Sequence, residues 1–94
     1  MDLKVPFKIA KNKKEAYDLA RAQLTQEYIA KWNIPCELSY DDANYKIKAE
    51  GKGFTMNVAF SESEAQVTLD LSFLLKAFKK TVLEKVEHKL AKHI

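Results

Sequence analysis

Leu3, Val5, Phe7 and Ile9 alternate with Lys4, Pro6 and Lys8, the period-two pattern of a strand with one buried face, predicted here over Asp2 to Ala10. Pro6 cannot donate a ladder hydrogen bond, which puts this strand at a sheet edge or leaves an unpaired position. The period then changes. Ala16, Leu19, Ala20, Leu24, Tyr28 and Trp32 recur at helical spacing behind Asn12, an N-cap with Glu15 three residues on, as in a capping box. Lys13, Lys14, Asp18, Arg21, Gln26, Glu27 and Lys31 form the polar side of this helix, and Asn33, Ile34 and Pro35 end it.

From Cys36 the period returns to two. Cys36, Leu38 and Tyr40; Tyr45, Ile47 and Ala49; Phe54, Met56, Val58 and Phe60; and Ala65, Val67, Leu69 and Leu71 are the inward sets of successive short strands. Asp41 to Asn44, Gly51 to Gly53 and Ser61 to Glu64 are the turns between them, and the middle one holds both glycines of the chain, where positive φ is inexpensive. Last comes one long predicted helix from Leu71 to Ile94. Leu71, Leu74, Leu75, Phe78, Val82, Val86 and Leu90 line its inner stripe, which drifts toward Leu83 and Ile94 because most of its steps are fours. Asp70 or Ser72 caps its start, and Lys85, Lys89, Lys92 and His93 suit the carbonyl end of its dipole.

The order is β-α-β-β-β-β-α with short turns between the last four strands. It predicts an α+β fold: a two-layer sandwich, a mostly antiparallel sheet with both helices on one face and polar residues on the other. No linker, repeat or low-complexity segment interrupts the 94 residues, so a single domain spanning 1–94 is expected. The edge near Cys36 to Tyr40 has no evident protection, which leaves a dimer through that strand open.

Composition narrows the function classes. Sixteen Lys and Arg against 13 Asp and Glu give a formal charge of +3, which permits an anionic partner without requiring one. Cys36 is the only cysteine, so no intrachain disulfide forms and a reducing compartment, by default the cytoplasm, fits. No apolar run approaches a membrane span, and the alternating start does not read as a signal peptide.

Candidate chemistry is sparse. His88 and His93 are five apart, about 140° around a helix, so they cannot share a metal as an i, i+4 pair would. Cys36 sits at an inward strand position and reads as a buried thiol. Asp41, Asp42, Glu62 and Glu64 fall in two turns, where turn chemistry explains them better than acid–base work or a divalent ion. With no phosphate-binding glycine loop, CxxC or nucleophile elbow, neither an enzyme nor a cofactor is expected.

Phe73 and Ala77 fall off the stripe of the last helix. Packing against the first helix is the simpler account; exposure would make Phe73 an apolar spot rimmed by Lys76 and Lys80, suited to a protein partner or an amphiphilic surface. An α-β-β-β-α core with Lys76, Lys79 and Lys80 at the last helix also resembles, in layout, a double-stranded-RNA-binding domain, those lysines being the phosphate contacts. The mild charge and the inward placement of Tyr45, Phe54 and Phe60 weigh against RNA. A third possibility is a small apolar ligand between sheet and last helix, although Tyr40, Tyr45, Met56, Phe60 and Phe78 are bulky enough to fill that space.

Leu71 to Leu90, LSFLLKAFKKTVLEKVEHKL, resembles the C-terminal segment of the polyhydroxyalkanoic acid system protein family, small bacterial proteins associated with genes for storage-polyester granules. The likeness covers most of the chain and includes the Phe-Lys step at Phe78 and Lys79. It implies a granule-associated or accessory role, with the granule surface or a granule protein as partner, and supplies no catalytic residues. The resulting expectation is a non-catalytic binding module acting through Phe73, Lys76, Lys79 and Lys80.

Overall fold

The computed structural model describes residues 2–32 and 35–94. Five strands, β1 (Leu3–Pro6), β2 (Glu37–Asp41), β3 (Lys46–Gly51), β4 (Phe54–Phe60) and β5 (Glu64–Leu71), form an antiparallel sheet in the order β1-β5-β4-β3-β2. Helices α1 (Lys13–Gln23), α2 (Gln26–Ala30) and α3 (Lys79–His93) complete the second layer, with a 3-10 segment, Phe73–Phe78, leading into α3. The α+β sandwich predicted from periodicity is the fold.

The inward strand sets make the floor of the core. Ile47, Ala49, Phe54, Met56, Val58, Ala65, Val67 and Leu69 are buried beneath Ala16, Ala20, Leu24 and Ile29 from the first two helices and Val82, Val86 and Leu90 from α3. Each large aliphatic side chain so buried contributes about 1.5–3 kcal/mol. Tyr17, which fell off the predicted stripe of the first helix, is also buried, edge-on to Phe60.

Three departures from the predicted elements have physical causes. The first strand is short because Lys8, Ile9 and Ala10 turn from the sheet and donate their N–H groups to the Ile94 carbonyl at 3.1, 2.8 and 2.8 Å. Ile9, predicted inward, is therefore exposed. The first helix breaks at Leu24, whose carbonyl accepts from the Tyr40 hydroxyl at 2.8 Å, and Thr25 then caps α2 through the Tyr28 N–H. Its predicted end at Asn33 and Ile34 lies outside the described residues. The last helix, predicted to run unbroken from Leu71, starts only at Lys79, because β5 keeps its register with β4 through Phe54↔Leu71. Six residues of 3-10 helix reach about 12 Å where α-helix reaches about 9 Å, which bridges the sheet end to α3.

Both glycines are needed, for different reasons. Gly53 has φ +74°, while Gly51 lies so close to the Pro35–Cys36 backbone that a Cβ would overlap it. In the turn before β3, positive φ falls not on Asn44 but on Tyr45, at 53°, with its ring packed on Tyr17.

Pro6 occupies an edge, as its missing donor predicts. Phe7 N–H donates to the Ser63 carbonyl, so the odd residues of β1 face β5 and Pro6 faces outward, where no ladder bond is lost.

Candidate docking surface at the start of the last helix

The surface begins where β5 ends. Ser72 N–H donates to the Gly53 carbonyl at 2.8 Å, which ties the strand end to the β3–β4 turn, and Leu75 N–H returns to the Ser72 carbonyl to open the 3-10 turn. The tighter winding gives a run of six residues, longer than the three or four usual for 3-10 helix. Only part of it faces the core. Leu75 is half-buried against the core, the side chain of Leu74 lies outside the described set, and Phe73 is 86% exposed.

Phe73 therefore does not pack against α1. Ala77 is exposed as well, and Phe78, predicted to point inward, is 50% exposed. Each i, i+4 step turns the stripe by about 40°, so between Phe78 and Ile94 it rotates by about 160° and only its middle and end meet the sheet. Two aromatic side chains thus reach solvent within six residues.

The cations do not all play one part. Lys76, Lys79 and Lys80 lie around a single open cleft between α3 and β1, with Leu3, Ala77 and Leu83 on its floor; Phe73 lies outside that cleft. Lys79 is held: its Nζ is 3.0 Å from Asp2 Oδ1, while Asp2 Oδ2 accepts the Leu69 N–H at 2.7 Å. The Leu69 hydrogen bond, then that from Lys79, holds the Asp2 carboxyl below the usual carboxylate range. Lys79 thus fastens α3 to β1 and β5. Among the described residues Lys80 pairs only with Glu84, at 4.0 Å, with both side chains largely in solvent. Sequence reasoning missed Asp2, whose partners lie more than sixty residues away, and assigned Phe78 to the wrong side.

Such a surface can adsorb and orient a partner. Other chemistry-bearing side chains lie elsewhere. Asp42 accepts from the Tyr17 hydroxyl at 2.5 Å and lies 3.6 Å from Arg21; burial, with Asp42 alongside, pushes the Tyr17 pKa up to about 12. Glu62 pairs with Lys13 at 3.5 Å, and Asp41 accepts two bonds from Asn44. Burial raises the Cys36 pKa, the opposite of an activated thiol. His93 Nδ1 is 2.8 Å from the Lys89 carbonyl. Among the described residues no group of three or more His, Cys, Asp or Glu is placed to hold a metal, and no helix is long and apolar enough to cross a membrane.

The family model described as "Putative polyhydroxyalkanoic acid system protein" matches residues 7–94. The chain belongs to that family. The matched span takes in the 3-10 segment and α3 entire and leaves out β1. The resemblance carried by Leu71 to Leu90 is thereby upheld. No curated protein and no solved structure matches the chain.

Proposed function

We propose that this chain is a non-catalytic, cytoplasmic accessory protein of polyhydroxyalkanoate storage that docks on the granule surface, or on a protein seated there, through Phe73 and Phe78 with Lys76 and Lys80 at the rim. The observation that carries this reading is Phe73, 86% exposed at the head of a helix whose other end is fixed in the core. Burying one such ring on a partner is worth about 1.5–3 kcal/mol, roughly tenfold to a hundredfold in affinity. Lysines beside it add attraction to an anionic surface, and that part weakens with salt.

The RNA reading loses a cation, since Lys79 is paired with Asp2, and the open sheet face presents Lys46, Lys48, Thr55, Asn57 and Thr68 in place of stacking aromatics. The apolar-ligand reading loses Phe78 as a wall of the interior.

The test is co-sedimentation of the purified protein with polyhydroxybutyrate granules at low and high salt, with duplex RNA as control. Wild type is retained on granules at high salt, and Phe73→Asp is released while its circular dichroism and Tm stay unchanged. Failure of the wild type to sediment, or retention of Phe73→Asp, overturns the proposal.

A further inference from the structure

The second edge of the sheet, β2, is covered in an unusual way. Leu38 N–H donates to Gln26 Oε1 at 3.2 Å, and Gln26 Nε2 donates to the Cys36 carbonyl at 2.8 Å. One side-chain amide thus makes the donor and acceptor contacts that a single residue of a parallel neighbouring strand would make through its own N–H and C=O. Because Leu38 N–H points away from β3, so do the N–H of Tyr40 and the carbonyls of Leu38 and Tyr40; the ladder to β3 runs through Glu37↔Glu50, Ser39↔Lys48 and Asp41↔Lys46. Gln26 satisfies the first half of this outward edge. It does not reach the second half.

The two edges differ in kind. On β1 the outward positions are Lys4 and Pro6, so the edge offers a single donor and cannot continue a ladder. On β2 every outward position keeps its N–H, and the group in its way is the end of an exposed side chain on the first turn of α2.

Charge selects what would pair there. Glu37, Ser39 and Asp41 project to the open face and Leu38 and Tyr40 to the core side, both half-buried. Glu37 stands beside Glu50, which already shares Lys48 at 3.1 Å, and among the described residues Glu37 itself has no cation within 4.0 Å. A second copy pairing antiparallel about Ser39 would set Glu37 against Asp41 twice, two repulsive pairs on one face. A strand with basic residues at alternate positions reverses both signs.

We propose that β2 is a strand-addition site for an extended, basic-alternating segment of a partner protein, and that the Gln26 amide is the placeholder it displaces. Backbone hydrogen bonds at Cys36, Leu38 and Tyr40 supply the register, and Glu37, with no cation of its own among the described residues, selects lysine or arginine opposite it. The site is independent of the Phe73 surface, which lies at the head of the last helix.

The test is an NMR titration of the full chain with a blocked seven-residue peptide alternating lysine and valine. Saturable shifts are expected at the amides of Cys36 to Asp41 and at the Gln26 side-chain NH₂. Gln26→Ala should bind several-fold tighter, Glu37→Lys several-fold weaker, and Phe73→Asp the same as wild type. Gln26→Glu, which keeps an acceptor for Leu38 but loses the donor to Cys36, should fall between wild type and Gln26→Ala. Absence of shifts, shifts centred elsewhere, or equal binding of a glutamate–valine peptide or of one with a central proline overturns the proposal. Dimerisation of Gln26→Ala without peptide overturns it in favour of a second copy.

Discussion

Phe73–Phe78 and Lys79–His93 read in sequence as one amphipathic helix, and the structure divides them. The first stretch winds as 3-10 helix and leaves two phenylalanines in solvent; the second winds as α-helix and buries Val82, Val86 and Leu90. Composition alone would assign them the other way round, since five of the first six residues are apolar against five of the next fifteen, yet both exposed phenylalanines lie in the first. What separates them is attachment: the first six residues are fastened chiefly at their strand end, to β5 and the Gly53 turn, whereas the next fifteen meet the sheet through Val82, Val86 and Leu90. Apolar side chains stabilise the fold in one stretch and are free to bind in the other.

Substitutions should respect that division. Leu90→Ala, in the α-helical part, opens a cavity beneath a fully buried side chain and should destabilise by about 2–5 kcal/mol, read as a large fall in Tm or in the urea midpoint. Phe73→Asp, in the 3-10 part, should leave Tm within the ±0.5 kcal/mol or so typical of surface sites and reduce granule binding tenfold or more; a large fall in Tm would erase the distinction. At the joint, Lys79→Met removes the tether to Asp2 and should cost less than about 1 kcal/mol, given its partial exposure. The same joint sets an acid limit. The Asp2 carboxyl titrates below its ordinary 3.8 when folded, so its contribution is complete above that value and is lost as pH falls through the folded pKa. Acid unfolding of Asp2→Asn should accordingly show a shallower dependence on pH in that range than the wild type. The smallest effect belongs to Glu84→Gln, which breaks an exposed pair at 4.0 Å and should shift stability by less than about 0.5 kcal/mol.

Period-two alternation made the meander and its inward sets legible, and Pro6 marked an edge, because burial on one face of a strand leaves its record in consecutive residues. The 3-10 segment left none. Spacings of three and four fit either winding over two turns, and the choice was made by the strand end that Leu71 shares with Phe54. The Leu24–Thr25 break is similar: Thr25 is a competent cap, but the hydroxyl that makes the break affordable comes from Tyr40, sixteen positions from Leu24. Phe73 was legible as a residue off the stripe, although the simpler account gave it a partner on α1. Phe78 was misplaced because the drift of a stripe built on fours was credited to the far end of the helix alone. The Asp2–Leu69 and Gln26–Leu38 contacts are polar and distant in sequence, and hydrophobic periodicity does not report them.

The pairing of Leu3 with Val67 orders the folding reaction in time. β2 through β5 join neighbours across short turns, so their ladders close with little loss of chain entropy, whereas β1 must close a loop of some sixty residues before its first bond forms. The amides of Lys8, Ile9 and Ala10 wait longer still, since their acceptor is the carbonyl of Ile94. The meander is therefore expected to form first and the first strand to close on it. In native-state hydrogen exchange β1 should be the earliest strand to open, baring the flank of β5 while the rest of the sheet holds.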